Sequence, residues 1–407
     1  MSYVYTYLNV TQKLISEYTP PQPFHLYLKK YFSQNKKHGS RDRKTITALC
    51  YAYYRTGKNF VDLSVEDKTL LSFSLIKTAL FNEAWQQKLK EQFPSLSNNF
   101  TELALNKQFD ELEQHYKFNT TLLFPFTNKL SKTVDAEAFS TSLLIQPNVW
   151  LRAKKNKKEK VEQLLINSGI TPIIHPEVSN AIGCEQQFNI EQVLGKNHHH
   201  FVEVQDASSQ QTGSFIQLQP LQKIWDCCCG AGGKSLMIKD IEPKIELYCS
   251  DIRPQIIQNL KERFKFSGIA APFETVSDIS QNSLTEVVFE TKSERKTATK
   301  NYFDAIIADV PCTGSGTWAR TPEQAFYFDA KQVDEFAKKQ KSIVANAVNF
   351  LKKGGALYYI TCSVFEEENE AQLPYFETLG LTVKQNELIK GYNHKADSMF
   401  IAVLEKV

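Results

Sequence analysis

An α/β fold built on a doubly wound parallel sheet is predicted for the second half of this 407-residue sequence, and three observations carry the prediction. From residue 211 onward, short apolar runs alternate with amphipathic runs of helical length. The apolar runs are continuous, as strands buried on both faces require. Several end in aspartate followed by a glycine or a turn, and such sheets bind their ligands at the carboxyl ends of the strands.

Residues 1–135 lack this alternation and predict a helical domain. "RKTITALCYAYYRTG" places apolar residues at helical spacing up to Gly57, and "LSFSLIKTALFNEAWQQKLKEQF" continues the pattern until Pro94. Residues 140–205 read as a small α+β unit. "TSLLIQPNVWLRAKK" has the texture of a strand, "KKEKVEQLLINSG" that of a short helix ending at Gly169, and "ITPIIHP" that of a second strand. In residues 206–407 the strands fall at 223–228, 245–250, 303–309 and 356–362, with one more before Asp278. "RPQIIQNLKERFKFSG" and "DEFAKKQKSIVANAVNFLKKGG" are helices between them. Residues 280–302, polar with a basic end, read as an inserted loop.

Composition is that of a globular protein, 42% hydrophobic and 23% charged with net charge +3, so the whole molecule does not announce a nucleic-acid binder. The cations cluster, however. Residues 29–44 hold seven Lys or Arg against one Asp, and 151–160 hold six against one Glu. Such runs are ordinary as solvated faces and become phosphate-binding patches when a fold aligns them. The N-terminus has no basic stretch followed by an apolar one, and no run is long enough to span a membrane, so a cytoplasmic protein is expected. The eight cysteines contain no C-x-x-C pair and are read as reduced thiols. The run His198–His200 lacks spaced partners, so no metal site is expected.

The first strand ends in "DCCCGAGGKS". A P-loop would need a glycine at position 228, which is Cys228, and a dinucleotide fingerprint would need one at Ser235, so both fail. An S-adenosylmethionine site fits better. Asp226 ends the first strand, the turn Cys228, Cys229, Gly230, Ala231, Gly232, Gly233 and Lys234 follows, and Asp251 ends the next strand, placed for two ribose hydroxyls. Arg253, beside it, is also read as a cofactor-binding residue. Asp278 follows the third strand, where it could accept from the adenine amino group. Any one of these acids could be a helix cap or turn residue; three successive strand ends carrying Asp favour a ligand. The fourth strand ends in Asp309-Val310-Pro311-Cys312 and the fifth in Thr361-Cys362-Ser363, which brings two thiols to the same edge of the sheet. A packing cysteine would sit inside its strand.

"DCCCGAGGKS", "SDIRP", "DVPCTGSGTWAR" and "YITCSVFEEENE" together resemble the RNA cytosine-5 methyltransferases of the Nop/Sun group, most of all its bacterial small-subunit ribosomal RNA branch. "FVEVQDASSQ" and the closing "SMFIAVLEKV" extend the likeness, and "GSRDRKTITALCYAYYR" is similar to the NusB-like amino-terminal domain of that branch. The resemblance implies three parts: a helical NusB-like RNA-binding domain over 1–135, a small α+β RNA-binding subdomain over 140–205, and a Rossmann-like methyltransferase domain over 206–407. It implies S-adenosylmethionine as cofactor, 16S ribosomal RNA as partner, and a monomer. Cys362 would attack cytosine carbon 6, Cys312 would serve the release step, and Asp309 would hydrogen-bond the cytosine and also border the cofactor. Lys234 is the cation that could lower the attacking thiol's pKa. Cys229-Gly230-Ala231 replaces the family's Ala-Ala-Pro, and Arg152-Ala153-Lys154 replaces its Arg-Val-Asn. Other functions compatible with these motifs are a transfer RNA cytosine-5 methyltransferase, a methyltransferase acting on protein or a small molecule, and a non-catalytic RNA-binding assembly factor.

Overall fold

The computed structural model describes all residues except 1, 77, 186–187, 196–197 and 282–283, and the side chains of Ser2 and His199 also lie outside the description. Two compact units are present. The first comprises residues 1–128, 135–146 and 318–329, the second residues 129–134, 147–317 and 330–407.

The first unit is helical, with its longer helices at Ser2–Glu17, Phe24–Gln34, Ser40–Arg55, Val65–Leu75, Glu83–Gln92 and Leu105–Tyr116. The stretch read as one continuing helix toward Pro94 is two. The chain breaks after Leu75, and Asn82 starts the second helix by accepting a hydrogen bond from the Ala84 amide. The sequence boundaries at 135 and 206 cut the chain only along its length, whereas this unit also takes in Trp318–Asp329. That segment supplies Trp318 and Phe328 to a ring cluster with Phe124 and Phe126, and Phe326 to one with Tyr53 and Tyr54. Trp318 is buried and Phe326 and Phe328 are half-buried; full burial of one such ring contributes roughly 1.5–3 kcal/mol, so the three together are enough to hold a short segment.

The second unit contains two sheets. The small one has strands β1 (Val149–Ala153), β2 (Ile173–Ile174), β3 (Ala181–Cys184) and β4 (Val202–Val204), in the order β2-β3-β1-β4, all antiparallel, with helix Lys158–Asn167. The large one has nine: β5 (Lys223–Asp226), β6 (Glu246–Asp251), β7 (Phe273–Val276), β8 (Val287–Glu290), β9 (Arg295–Ala298), β10 (Phe303–Asp309), β11 (Leu351–Thr361), β12 (Leu381–Ile389) and β13 (Met399–Lys406). Their order is β12-β13-β11-β10-β5-β6-β7-β8-β9. The five strands from β11 to β7 are parallel, and antiparallel strands close both edges. The sheet is therefore mixed.

Residues 280–302 are not simply a loop: they contain the hairpin β8–β9. Val287, Phe289 and Ala298 point to one face and are buried there, with Lys296 opposite Phe289 on that same face, while Val288, Glu290, Arg295 and Thr297 take the other, so a short apolar run is paired with a polar, basic one. Side chains alternate across the central strands too. Trp225, Tyr248, Ile306, Leu357 and Tyr359 pack with Ile343, Val344 and Ala347 of helix Lys331–Phe350. Ile224, Leu247, Ile307, Tyr358 and Ile360 pack on the opposite face with helices Gly233–Ile241 and Pro254–Phe266. Both faces being covered explains the continuous apolar strands, and the polar ends of β5, β6, β10 and β11 are left at one edge.

Candidate active site

The turn after β5 is shaped by two glycines in the left-handed region, Gly230 at φ +51° and Gly232 at φ +83°. A Cβ at Gly232 would press on Leu260 and Phe264 at 3.2 and 3.3 Å, whereas one at Gly230 would meet nothing within 4 Å. Gly232 caps helix Gly233–Ile241, so the helix packs tightly while the open side of Gly230 admits a ligand. Cys227 and Cys229 are buried and Cys228 is half-buried.

Asp226 is fully buried beneath this turn. One of its oxygens accepts from the Ser235 hydroxyl at 2.6 Å, and the other has no partner. Burial pushes its pKa up to about 7, opposed by the Ser235 bond and reinforced by Asp309. An unfolded Asp titrates near 4, so the native state favours the proton from about pH 4 to about 7. Native stability therefore declines across that window and levels off above it. Asp226→Asn removes the titration while keeping an acceptor for Ser235. The variant's advantage in Tm over the unmodified protein is expected to be larger at pH 8 than at pH 5, by thermal unfolding; equal differences at both pH values would refute the assignment.

Asp251 ends β6 with all four acceptor directions filled. One oxygen takes the Arg253 amide (3.0 Å) and Nε (2.8 Å), the other Arg253 NH2 (3.0 Å) and the Gly230 amide (3.2 Å). Burial pulls its pKa upward, but these bonds outweigh burial and hold it below the ordinary carboxylate range. Asp278 is half-buried in the loop after β7, close to Asp251 through the Ser277 amide on the Asp251 carbonyl. Its carboxylate accepts from the Ser280 hydroxyl (2.6 Å) and amide, which lower its pKa.

At the tip of β10, Asp309 pairs with Lys234 at 2.8 Å, and Lys234 also reaches the Ser209 hydroxyl at 3.3 Å. Lys234 thus touches Asp309, and no bond from it to either thiol is found. The two thiols themselves meet, Cys312 Sγ lying 3.3 Å from Cys362 Sγ, while the Cys362 amide donates to Cys312 Sγ at 3.3 Å. The contact with Cys362, burial, and the nearby Glu368 push the Cys312 thiol well above the ordinary range.

Glu368 was not singled out in the sequence, yet it fastens both cysteine loops. It is fully buried, accepts from the Thr313 amide (2.9 Å) and hydroxyl (2.6 Å), from Ser363 Oγ (2.5 Å) and from Gln340 (3.1 Å). Gly316 completes the join: its amide donates to the Cys362 carbonyl at 2.9 Å, and a Cβ there would run into backbone. A faint signal existed, since Glu366–Glu368 is an acidic run directly after buried Val364 and Phe365, and its last member is drawn inward. The lysine partner Ser209 carried no signal beyond its place in "DASSQ".

Among the described residues no group of three or more His, Cys, Asp or Glu side chains could hold a metal ion. None of the described helices is long and apolar enough to cross a membrane. The orphaned Asp226 oxygen, the open face of Gly230 and the acids on β6 and after β7 make a cradle that fits S-adenosylmethionine.

Comparison with known proteins bears on the fold and the cofactor. Residues 214–405 match the family described as 16S rRNA methyltransferase RsmB/F. Ribosomal RNA small subunit methyltransferase B of Proteus mirabilis is 28% identical over 233 residues, 57% of this chain and 52% of its own length. That of Klebsiella pneumoniae is 27% identical over 57% of this chain and 51% of its own length. The chain spans about half the length of the curated relatives it matches. Of solved structures, PH0851 superposes with a TM-score of 0.67 at 17% identity, over 95% of both chains. NSun6 from Pyrococcus horikoshii, solved with SFG, gives 0.56 at 16% identity over 70% of this chain and 97% of its own. At these identities the superpositions speak for the fold. With the strand-tip acids, the paired thiols and the match over one continuous stretch, residues 214–405 form a Rossmann-like, S-adenosylmethionine-dependent methyltransferase domain similar to the RsmB/F family.

Proposed function

We propose that this protein methylates carbon 5 of a cytosine in small-subunit ribosomal RNA through a covalent adduct with Cys362. The observation that carries the proposal is the 3.3 Å contact between two thiols on adjacent strand tips, next to the Lys234–Asp309 pair. Bound S-adenosylmethionine supplies an electrophilic methyl carbon. Cys362, as thiolate, adds to carbon 6 of the ring, and the electron pair displaced to carbon 5 makes that carbon nucleophilic. Two thiols this close share one negative charge more readily than two, so Cys312 stays protonated and donates to the Cys362 sulfur. Once Cys362 is bonded to carbon that charge is gone, and Cys312 can release its proton to solvent. The Cys312 thiolate then takes the carbon 5 proton, the electron pair of that bond restores the ring, and Cys362 leaves as thiolate. The net proton balances the methyl transfer. Single-stranded loops let the target base leave its stack cheaply.

Cofactor hold follows from Asp251. Arg253, whose side chain is 61% exposed, occupies the positions two ribose hydroxyls would take. Asp251→Ala is expected to weaken S-adenosylmethionine binding by about tenfold or more, since hydrogen bonds to a charged group contribute about 1.5–3 kcal/mol each. Arg253→Ala, which only removes the competitor, is expected to bind at least as tightly. Calorimetry on both variants decides it: an unchanged affinity in Asp251→Ala sinks the ribose assignment.

The function itself is tested by transfer of tritiated methyl to purified small-subunit ribosomal RNA, followed by nucleoside digestion. Label in 5-methylcytidine supports the proposal. Label only on transfer RNA corrects the substrate, label on protein or in another nucleoside overturns the reaction, and no transfer to any RNA overturns it altogether.

A further inference from the structure

We propose that the second unit carries a separate pocket for one unpaired RNA base, at the far end of helix Gly233–Ile241 from the cofactor turn. It rests on the RNA-substrate reading above. The pocket is a cleft of about 430 Å³ between β1, residues 210–214 and the end of that helix. Met237 and Ile241 form apolar walls, and Gly213 packs closely against them, since a Cβ there would come within 3.1 Å of the Met237 sulfur.

Two polar atoms of opposite sense, both buried, lack a partner on residues that line this one cleft. Arg152 is 5% exposed, and its NH2 has no partner; Gln210 is 6% exposed, and its Oε1 has none. Everything else on these side chains is in use. Arg152 Nε donates to Gln205 at 2.7 Å, its NH1 pairs with Asp240, and Gln210 Nε2 donates to the Gln205 carbonyl at 2.9 Å. A buried donor and a buried acceptor that do not bond each other are costly to leave empty. Asp240 neutralises Arg152, so the inner cleft has no surplus positive charge to attract a phosphate or carboxylate. A neutral, flat group with an acceptor next to a donor on one edge satisfies both atoms, and every nucleobase has such an edge. The apolar walls suit its faces, as in other sites that read splayed-out RNA bases. Exposed Lys155, on the same cleft, is placed for the backbone phosphate. Lys234 and Ile241 are about 10 Å apart along the helix at 1.5 Å per residue, a span a neighbouring nucleotide of the bound strand can cover.

The test uses the full chain and a short single-stranded RNA of mixed sequence. Gln210→Leu removes the acceptor at similar volume, and Ser214→Trp, at an exposed lining position, fills the cleft should the first variant fold poorly. RNA affinity is expected to fall about tenfold, the lower end for a well-made base contact, with S-adenosylmethionine affinity unchanged. Thiouridine-substituted RNA is expected to crosslink to peptides containing residues 205–214 or 237–241 in the unmodified protein and to lose those crosslinks in both variants. Unchanged RNA affinity with no crosslink there overturns the pocket and leaves the RNA substrate standing. A parallel loss of cofactor affinity overturns it by assigning the cleft to the cofactor. An unmodified protein that neither binds nor methylates RNA overturns both proposals.

Discussion

Alanine at Cys312 turns the enzyme into a trap for its substrate: with RNA and S-adenosylmethionine present, a covalent RNA–protein band accumulates on denaturing gels. Free methylated product falls by about a hundredfold or more, the lower end of what a positioned base contributes. The effect is chemical, because a half-buried thiol replaced by a methyl leaves only a small cavity, at a cost of about 1 kcal/mol, and the loop stays fastened through Thr313 and Glu368. Cys362→Ala is expected to lose transfer entirely and to give no band, and the double variant to give none either. A band from Cys362→Ala with none from Cys312→Ala would exchange the two roles. Normal transfer by both single variants would end the covalent mechanism.

What could be read in the sequence, and what could not, follows from how local each feature is. β5, β6 and β10 were legible to within two residues because both faces are buried, so the apolar run and the strand nearly coincide. The hairpin β8–β9 was missed because its apolar run, 287–289, is only three residues long and β9 opens on Arg295 and Lys296, which made the stretch read as loop. The break between helices at Leu75 and Glu83 was hidden by apolar residues that continue in phase across it; Asn82 was the overlooked cap. At the site, the aspartates and cysteines stood out because each ends a strand. Glu368 did not, since its partners Thr313 and Gln340 are distant in the chain, and only the packing of β10 against β11 brings them together. The pairing of Lys234 with Asp309 was not legible for the same reason: which acid or thiol a buried cation meets is a tertiary fact.

That pair sets the last expectation, on choice of base. Lys234 is 6% exposed and held against Asp309, so an ammonium donor and a carboxylate acceptor stand side by side at the tip of β10. Cytosine presents their complement, an acceptor at its ring nitrogen 3 and a donor at its amino group, whereas uracil has the reverse at those positions. Lys234→Met and Asp309→Asn are each expected to lower methyl transfer by about 10²–10³, the usual consequence of removing one polar group that meets charge developing in the ring. They differ in stability. Asp309→Asn strands a buried cation and is expected to cost about 3 kcal/mol, the low end for breaking a buried pair, since Asp309 keeps part of its side chain in solvent. Lys234→Met leaves the exposed part of a carboxylate to water and costs less. Joining the two changes removes both charges, so the double variant is expected to regain much of the lost stability and none of the lost activity. Urea unfolding and single-turnover transfer, measured on all three variants, separate these effects. Recovery of activity along with stability in the double variant would make the pair a structural brace and leave recognition of cytosine to other groups.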